Sequence, residues 1–256
     1  MEKIQGNRNT LKYIVMALIF TMLPFQILMF LNRNNTEPYY ISVIYVVVIT
    51  MAIIFRRING EKDRLSKGKQ NMSFVFKDGW YIFVISLVYA VLNFLSIDFS
   101  KNVPVSNRIF FLINVMLTAT FEETVFRGII QSRIIRDCEE RGKSVWHGIL
   151  ISSAIFGMVH LLNLLGSPYL VVGTITQVIY TFLLGSFFGV VYYRSQNLNT
   201  AILLHFIFNV MGSYSSIFST GVSKSDLPIF MAFIQVALTL PCLYISYRNY
   251  KKKIKC

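Results

Sequence analysis

Apolar residues run through this chain in long blocks rather than in alternation or in half-polar stripes. A bilayer core about 30 Å thick takes about 20 residues of helix to cross. On that ruler eight blocks stand out, near 12–31, 39–55, 78–98, 108–133, 145–165, 171–193, 199–218 and 227–247, the second short at 17 residues. The pattern predicts an all-α, polytopic membrane helix bundle of about eight transmembrane helices. The first block is too long for the apolar core of a signal peptide and runs directly into "FLNRNN" without a small-residue cleavage site, so it is read as a retained helix.

Composition agrees with a membrane protein, since 54% of the residues are hydrophobic and only 14% are charged. The net charge of +13 would also suit a nucleic-acid binder, but the basic residues are confined to short segments between apolar blocks. That placement fits anionic headgroups, and no nucleic-acid partner is expected. With all eight blocks spanning and the N-terminus inside, twenty Lys and Arg face the cytoplasm and four (Arg33, Lys101, Arg108 and Lys224) face the other side. Removing one span scrambles that ratio, so both N- and C-termini are placed in the cytoplasm. The long basic connector within 56–77 reads as a cytoplasmic loop, where the "NMS" match to a glycosylation sequon at 71–73 has no meaning. Cys138, Cys242 and Cys256 show neither disulfide nor thiolate-metal spacing, and Cys256, as the last residue, leaves no room for a prenylation box. No internal repeat or separate soluble domain is visible.

Ionisable residues at membrane depth each cost about 2.5–3.5 kcal/mol at a helix centre on insertion scales. The fourth block nevertheless carries three within "FEETVFRG", residues 121–128. Glu123 and Arg127 are i,i+4 neighbours in the favourable acid-before-base order and can neutralise each other. Glu122 is rotated about 100° from Glu123 and is left to face a cavity. In the fifth block "FGMVH" sets Phe156 and His160 four apart, and in the seventh "HFIFN" does the same for His205 and Asn209. Taken singly, such pairs are as often helix-packing hydrogen bonds as chemistry. Thr174, Thr176 and Gln177 of the sixth block read mainly as helix contacts, and "GSFFG" at 185–189 reads as close helix packing.

Together, Glu-Glu-x-x-x-Arg, Phe-x-x-x-His and His-x-x-x-Asn on three separate apolar helices resemble the CAAX protease and bacteriocin-processing family, also called Abi, whose members are intramembrane proteases with eight membrane helices. The motifs fall between about 107 and 212, and no motif position is substituted. The resemblance divides the chain into 1–106, N-terminal helices with the basic loop; 107–212, the protease core; and 213–256, the last helix with a basic tail.

By that resemblance Glu122 activates water with His160 assisting, Glu123 and Arg127 support the site, and His205 and Asn209 bind the oxyanion. General chemistry is compatible: a carboxylate in a low-dielectric cavity is a stronger base than an exposed one, and donors aimed at an oxyanion contribute about 3–4 kcal/mol each. Glu122, His160 and His205 would also form an acceptable zinc set, and the family has been described both as metalloproteases and as glutamate-dependent enzymes. HExxH is absent, so spacing does not choose; no cofactor is firmly implied, and a divalent metal such as zinc stays open. A rise of 1.5 Å per residue puts His205 about 9 Å and His160 about 22 Å into their helices, so a shared site requires an offset start of one of them.

The expected function is an intramembrane endopeptidase acting on peptide or membrane-protein substrates, with processing of a small secreted peptide as one role. The Ile-, Lys-, Asn- and Phe-rich composition points to the cytoplasmic membrane of a low-GC bacterium, where prenylated substrates are not expected. The alternative is a bacteriocin self-immunity protein acting with or without proteolysis. A transporter with a proton relay is disfavoured because no repeated half or interrupted helix pair is seen.

Overall fold

The structure, a computed structural model, describes residues 2–33, 35, 37–59, 73–218 and 226–252. Most of the expected basic loop (60–72, with the first two residues of the sequon), Lys224, Lys253, Lys255 and Cys256 lie outside the described residues. Among the described residues the chain is entirely helical. Helices α1 (Glu2–Leu31) and α2 (Pro38–Ile58) are followed by a short α3 (Ser73–Lys77), α4 (Trp80–Phe94) and α5 (Val105–Glu123). A π-helical stretch, Thr124–Gln131, joins α5 to α6 (Ser132–Glu140) without a break. Next come α7 (Val145–Val159), a 3-10 turn (His160–Leu162), α8 (Asn163–Gly166), α9 (Val171–Ser195) and α10 (Leu198–Ser213). A second 3-10 turn (Tyr214–Phe218), α11 (Ile229–Thr239) and α12 (Pro241–Lys251) complete the order.

Among the described residues, seven helical stretches are long and apolar enough to cross a bilayer. The remaining expected span, the third at 78–98, is shorter than its apolar block: α4 holds 15 residues, about 22 Å of helix. Gly79 sits at the break between α3 and α4, where a Cβ would sit on the Val75 carbonyl and against the methyls of Leu204. The fourth span is longer than expected, continuing through α6 to Glu140 as one rod of 36 residues.

Local chemistry sets the helix ends. Pro38 opens α2, where its missing N–H costs nothing. Asn197 caps α10 by accepting from the Asn199 amide at 3.0 Å. After α6, Gly142 takes φ +63° and the Lys143 amide donates back to the Cys138 carbonyl, a turn that a side chain at 142 would strain.

Polar contacts place the helix ends at two poles. At one, the Arg194 guanidinium donates to the Asp78 carboxylate at 2.6 Å and to the carbonyls of Asn249 and Lys252. Thr10 donates to Asp137, and Arg133 lies over the Tyr13 ring, which itself packs on Phe55 near the end of α2. This pole gathers Arg56, Arg57, Arg133, Arg136, Arg141, Arg194 and Arg248. At the other pole Tyr214 donates to the Ala90 carbonyl, Ser215 to Asn93, and Ser42 to Asn114.

The outer surface is apolar, with Leu11, Leu23, Leu87 and Phe233 exposed, while Glu123, Arg127 and Gln131 are fully buried. This inversion suits lipid as the surrounding solvent. All eight residues of the π stretch are buried, so the fourth span is the central post of the bundle. Gly189 of α9 lets it approach: a Cβ there would stand 2.5 Å from Gln131 Oε1 and 2.9 Å from an Ile149 methyl. Gln131 Nε2 donates to the Gly189 carbonyl at 2.9 Å across this contact. Gly189→Ala is expected to lower stability by about 1–3 kcal/mol, the usual cost of overpacking, read as a fall in unfolding temperature in detergent.

Candidate active site

The polar residues picked out in the fourth, fifth and seventh blocks converge on one cavity of about 150 Å³, lined among others by Glu122, His160, Gln177, Tyr180, His205 and Asn209. Behind its lining, in contact with Phe156, Phe188 and His205, lies the Glu123–Arg127 pair. Glu123 has no exposed surface, Arg127 only 1 %, and Arg127 Nη1 stands 3.1 Å from Glu123 Oε1. The guanidinium lies 4.5 Å over the Phe156 ring and 5.8 Å from that of Phe188, so its charge is met by one carboxylate and two aromatic faces. Gly185 leaves the room, since a Cβ there would come within 3.2 Å of Arg127 Nη2.

Glu123 has a second partner that spacing did not reveal. His205 Nδ1 lies 2.8 Å from the same Oε1, and because a carboxylate oxygen accepts, Nδ1 carries the hydrogen. The imidazole stacks on Phe188 at 5.3 Å and 19°, and its Nε2 stands 3.6 Å from Glu122 Oε2. Glu122 is the more open of the two acids, its side chain 22% exposed. The adjacent acids therefore divide their work. Glu123 is locked into the helix interface by Arg127 and His205, and Glu122 faces the cavity.

His160 is held in a parallel way. Its Nδ1 lies 2.9 Å from the Phe156 carbonyl, which can only accept, so Nε2 is left as the acceptor nitrogen of the neutral ring. Both imidazoles pack against Phe156, His160 at 5.0 Å and His205 at 6.3 Å between ring centroids. The two histidines share one cavity, as a common site requires, with α7 beginning at Val145 and α10 at Leu198. Asn209 opens on the same cavity one helical turn beyond His205.

Several contributors were not legible beforehand. The π stretch begins right after Glu123 and carries Arg127; such insertions frequently mark functional sites, and no residue pattern in "TVFRGIIQ" announces one. Phe188, read only as packing, stacks on His205, and Tyr180 joins the cavity from the apolar face of α9. Thr176 donates within its own helix, to the Val172 carbonyl, and not to a neighbouring helix, whereas Gln177 reaches the cavity.

For the suggested metal set, the 3.6 Å between Glu122 Oε2 and His205 Nε2 suits two ligands of one ion, and both histidines keep Nε2 outward while Nδ1 is anchored on an oxygen. A third donor does not close around them: among the described residues no three His, Cys, Asp or Glu side chains are grouped to hold an ion. The placement does not fit a zinc site, and no step below is routed through a metal.

Fold and cavity define a multi-pass membrane protein holding a carboxylate, two imidazoles and an amide together inside its helix bundle. Residues 104–211, the segment that carries all the motif residues, match the family model described as Rce1-like, Type II CAAX prenyl endopeptidase Rce1-like. The match covers under half of the chain. No curated protein and no solved structure gave a significant match.

Proposed function

We propose that this chain is an intramembrane endopeptidase that cleaves peptide or membrane-protein substrates by water activated at Glu122. The supporting observation is that Glu122 is the carboxylate lining the small cavity, with His160, His205 and Asn209 around it, while its neighbour Glu123 is consumed by Arg127 and His205. In this reading Glu122 takes a proton from water as the oxygen adds to the scissile carbonyl carbon. His160, with Nε2 as acceptor, orients that water. The oxyanion accepts from the Asn209 amide and from the imidazolium form of His205, whose second ring hydrogen, on Nε2, points into the cavity while Glu123 holds the one on Nδ1. Collapse of the tetrahedral species breaks the C–N bond, and the proton held by Glu122 passes to the leaving amine. Glu123 and Arg127 are positioning residues, since they act through His205. The cytoplasmic membrane of a bacterium and a small exported peptide as substrate complete the proposal.

The purified protein in liposomes is expected to cleave a blocked, quenched-fluorescent octapeptide of Leu, Val and Ser. Cleavage is expected to continue at an unchanged rate after dialysis against EDTA and 1,10-phenanthroline. A rate that collapses on chelation and returns with zinc would transfer water activation from Glu122 to a metal ion.

A further inference from the structure

The small cavity above Glu122 has a larger neighbour. A cavity of about 750 Å³ lies between the end of α1, the turn at His160–Leu162 with α8, the first turns of α9 and residues 226–228, and Gln177 lines both spaces. Its size falls within the range of specific ligand sites, about 300–1,000 Å³.

Its chemistry is that of a peptide rather than of an ion. Phe25, Leu162 and Leu170 give it apolar walls, with Gln26 and Thr174 among them. Asn163 Nδ2 donates to Gln177 Oε1 at 2.9 Å. Each amide carries both donors and an acceptor, so this pair still presents an acceptor from one residue and a donor from the other, whichever way round the two amides are built. One acceptor and one donor side by side complement the N–H and C=O of an extended chain.

The charged group on the wall, Asp226, is already engaged: its carboxylate accepts from the amides of Val172, Gly173 and Leu227 at 2.6–2.8 Å. Desolvation opposes its ionisation, but these amide hydrogens, with that of Val171, together hold its carboxyl below the usual range. The cavity stands where α9 begins, at the pole away from the Arg194–Asp78 cluster that marks where α9 ends.

We propose that this cavity is the substrate vestibule: an extended, apolar peptide segment enters at the pole opposite the basic cluster, pairs its backbone with Asn163 and Gln177, and passes Gln177 to reach Glu122. The vestibule rests on the endopeptidase reading and adds to it a substrate class and the side of the molecule from which substrate comes. It also gives Gln177 and Thr174, polar residues in an apolar helix, a role beyond helix contact.

The test is protection of an introduced thiol. Cys138 and Cys242 are buried, so Cys256→Ser provides the background for labelling. Ser167→Cys places a thiol on the vestibule wall, and Leu11→Cys places one on a separate cavity at the basic pole. Each is combined with Glu122→Gln, reconstituted in liposomes and labelled with a maleimide in the presence or absence of the blocked octapeptide. At ten times its Kd, the octapeptide is expected to slow labelling of the residue-167 thiol about ten-fold and leave the residue-11 thiol unchanged. At the same peptide concentration Gln177→Leu should cut that slowing to about three-fold, as a roughly five-fold rise in Kd from the loss of one net hydrogen bond gives, while labelling without peptide stays constant and reports an intact fold. Unchanged labelling at 167 overturns the vestibule even if the wild-type protein cleaves the octapeptide. Protection at 167 without wild-type cleavage keeps the vestibule and sinks the endopeptidase reading alone.

Discussion

Glu122→Gln is expected to abolish peptide cleavage while leaving membrane insertion and unfolding temperature close to wild type. A positioned general base contributes about 10²- to 10⁴-fold, so the loss reads as about 3–5 kcal/mol of transition-state stabilisation. Gln keeps the shape of Glu and loses only the ability to take a proton. Glu122 is partly open and its nearest ionic partner, His205, stands at 3.6 Å, so little structural energy is at stake. The readout is the initial rate on the octapeptide, beside a melting curve in detergent. Retained cleavage in this variant removes Glu122 from the mechanism. If bacteriocin immunity is the phenotype in cells and it survives Glu122→Gln, the chain protects by binding and not by hydrolysis.

Arg127→Met is expected to cause the largest loss of stability of any single replacement at the site, about 3–5 kcal/mol, because it leaves a fully buried carboxylate without its cation. His205 remains as a partner of Glu123, but one imidazole hydrogen bond does not replace a guanidinium charge. Glu123→Gln with Arg127→Met together should recover most of that loss, since no buried charge is then left unpaired. Unfolding in detergent across the four members of this double-mutant cycle gives the coupling directly. Additive losses would show that the two residues do not act as a pair. Even when folded, the double variant should cleave more slowly than wild type, because His205 loses the carboxylate that fixes its Nδ1 hydrogen and points Nε2 at Glu122.

What could be read beforehand follows from how local each signal is. Helix number and extent came from runs of apolar residues, and the structure departs from them where a packing contact intervenes. The third span starts only after Gly79, which lies against Val75 and Leu204, and α6 carries the fourth span past its apolar block. The Glu123–Arg127 pair was legible because both partners lie within one helical turn. The His205–Glu123 bond was not, because it joins residues 82 apart and depends on how α10 lies against α5.

The sequence by itself determined a helical membrane bundle, one internal ion pair, and the set of side chains, from Glu122 to Asn209, whose motifs resemble a protease family. Apolar length, helical spacing and the cost of charge in lipid are properties of short stretches, and they need no partner to act. Only the tertiary structure decided which acid is free. Glu122 and Glu123 are adjacent and chemically alike, and what separates them is the arrival of His205 and Phe188 from two other helices and of the Arg127 guanidinium through the π-helical turn. It also decided that Gln177 stands between two cavities, because a cavity is the space several helices leave when they pack, and no single stretch of chain carries it.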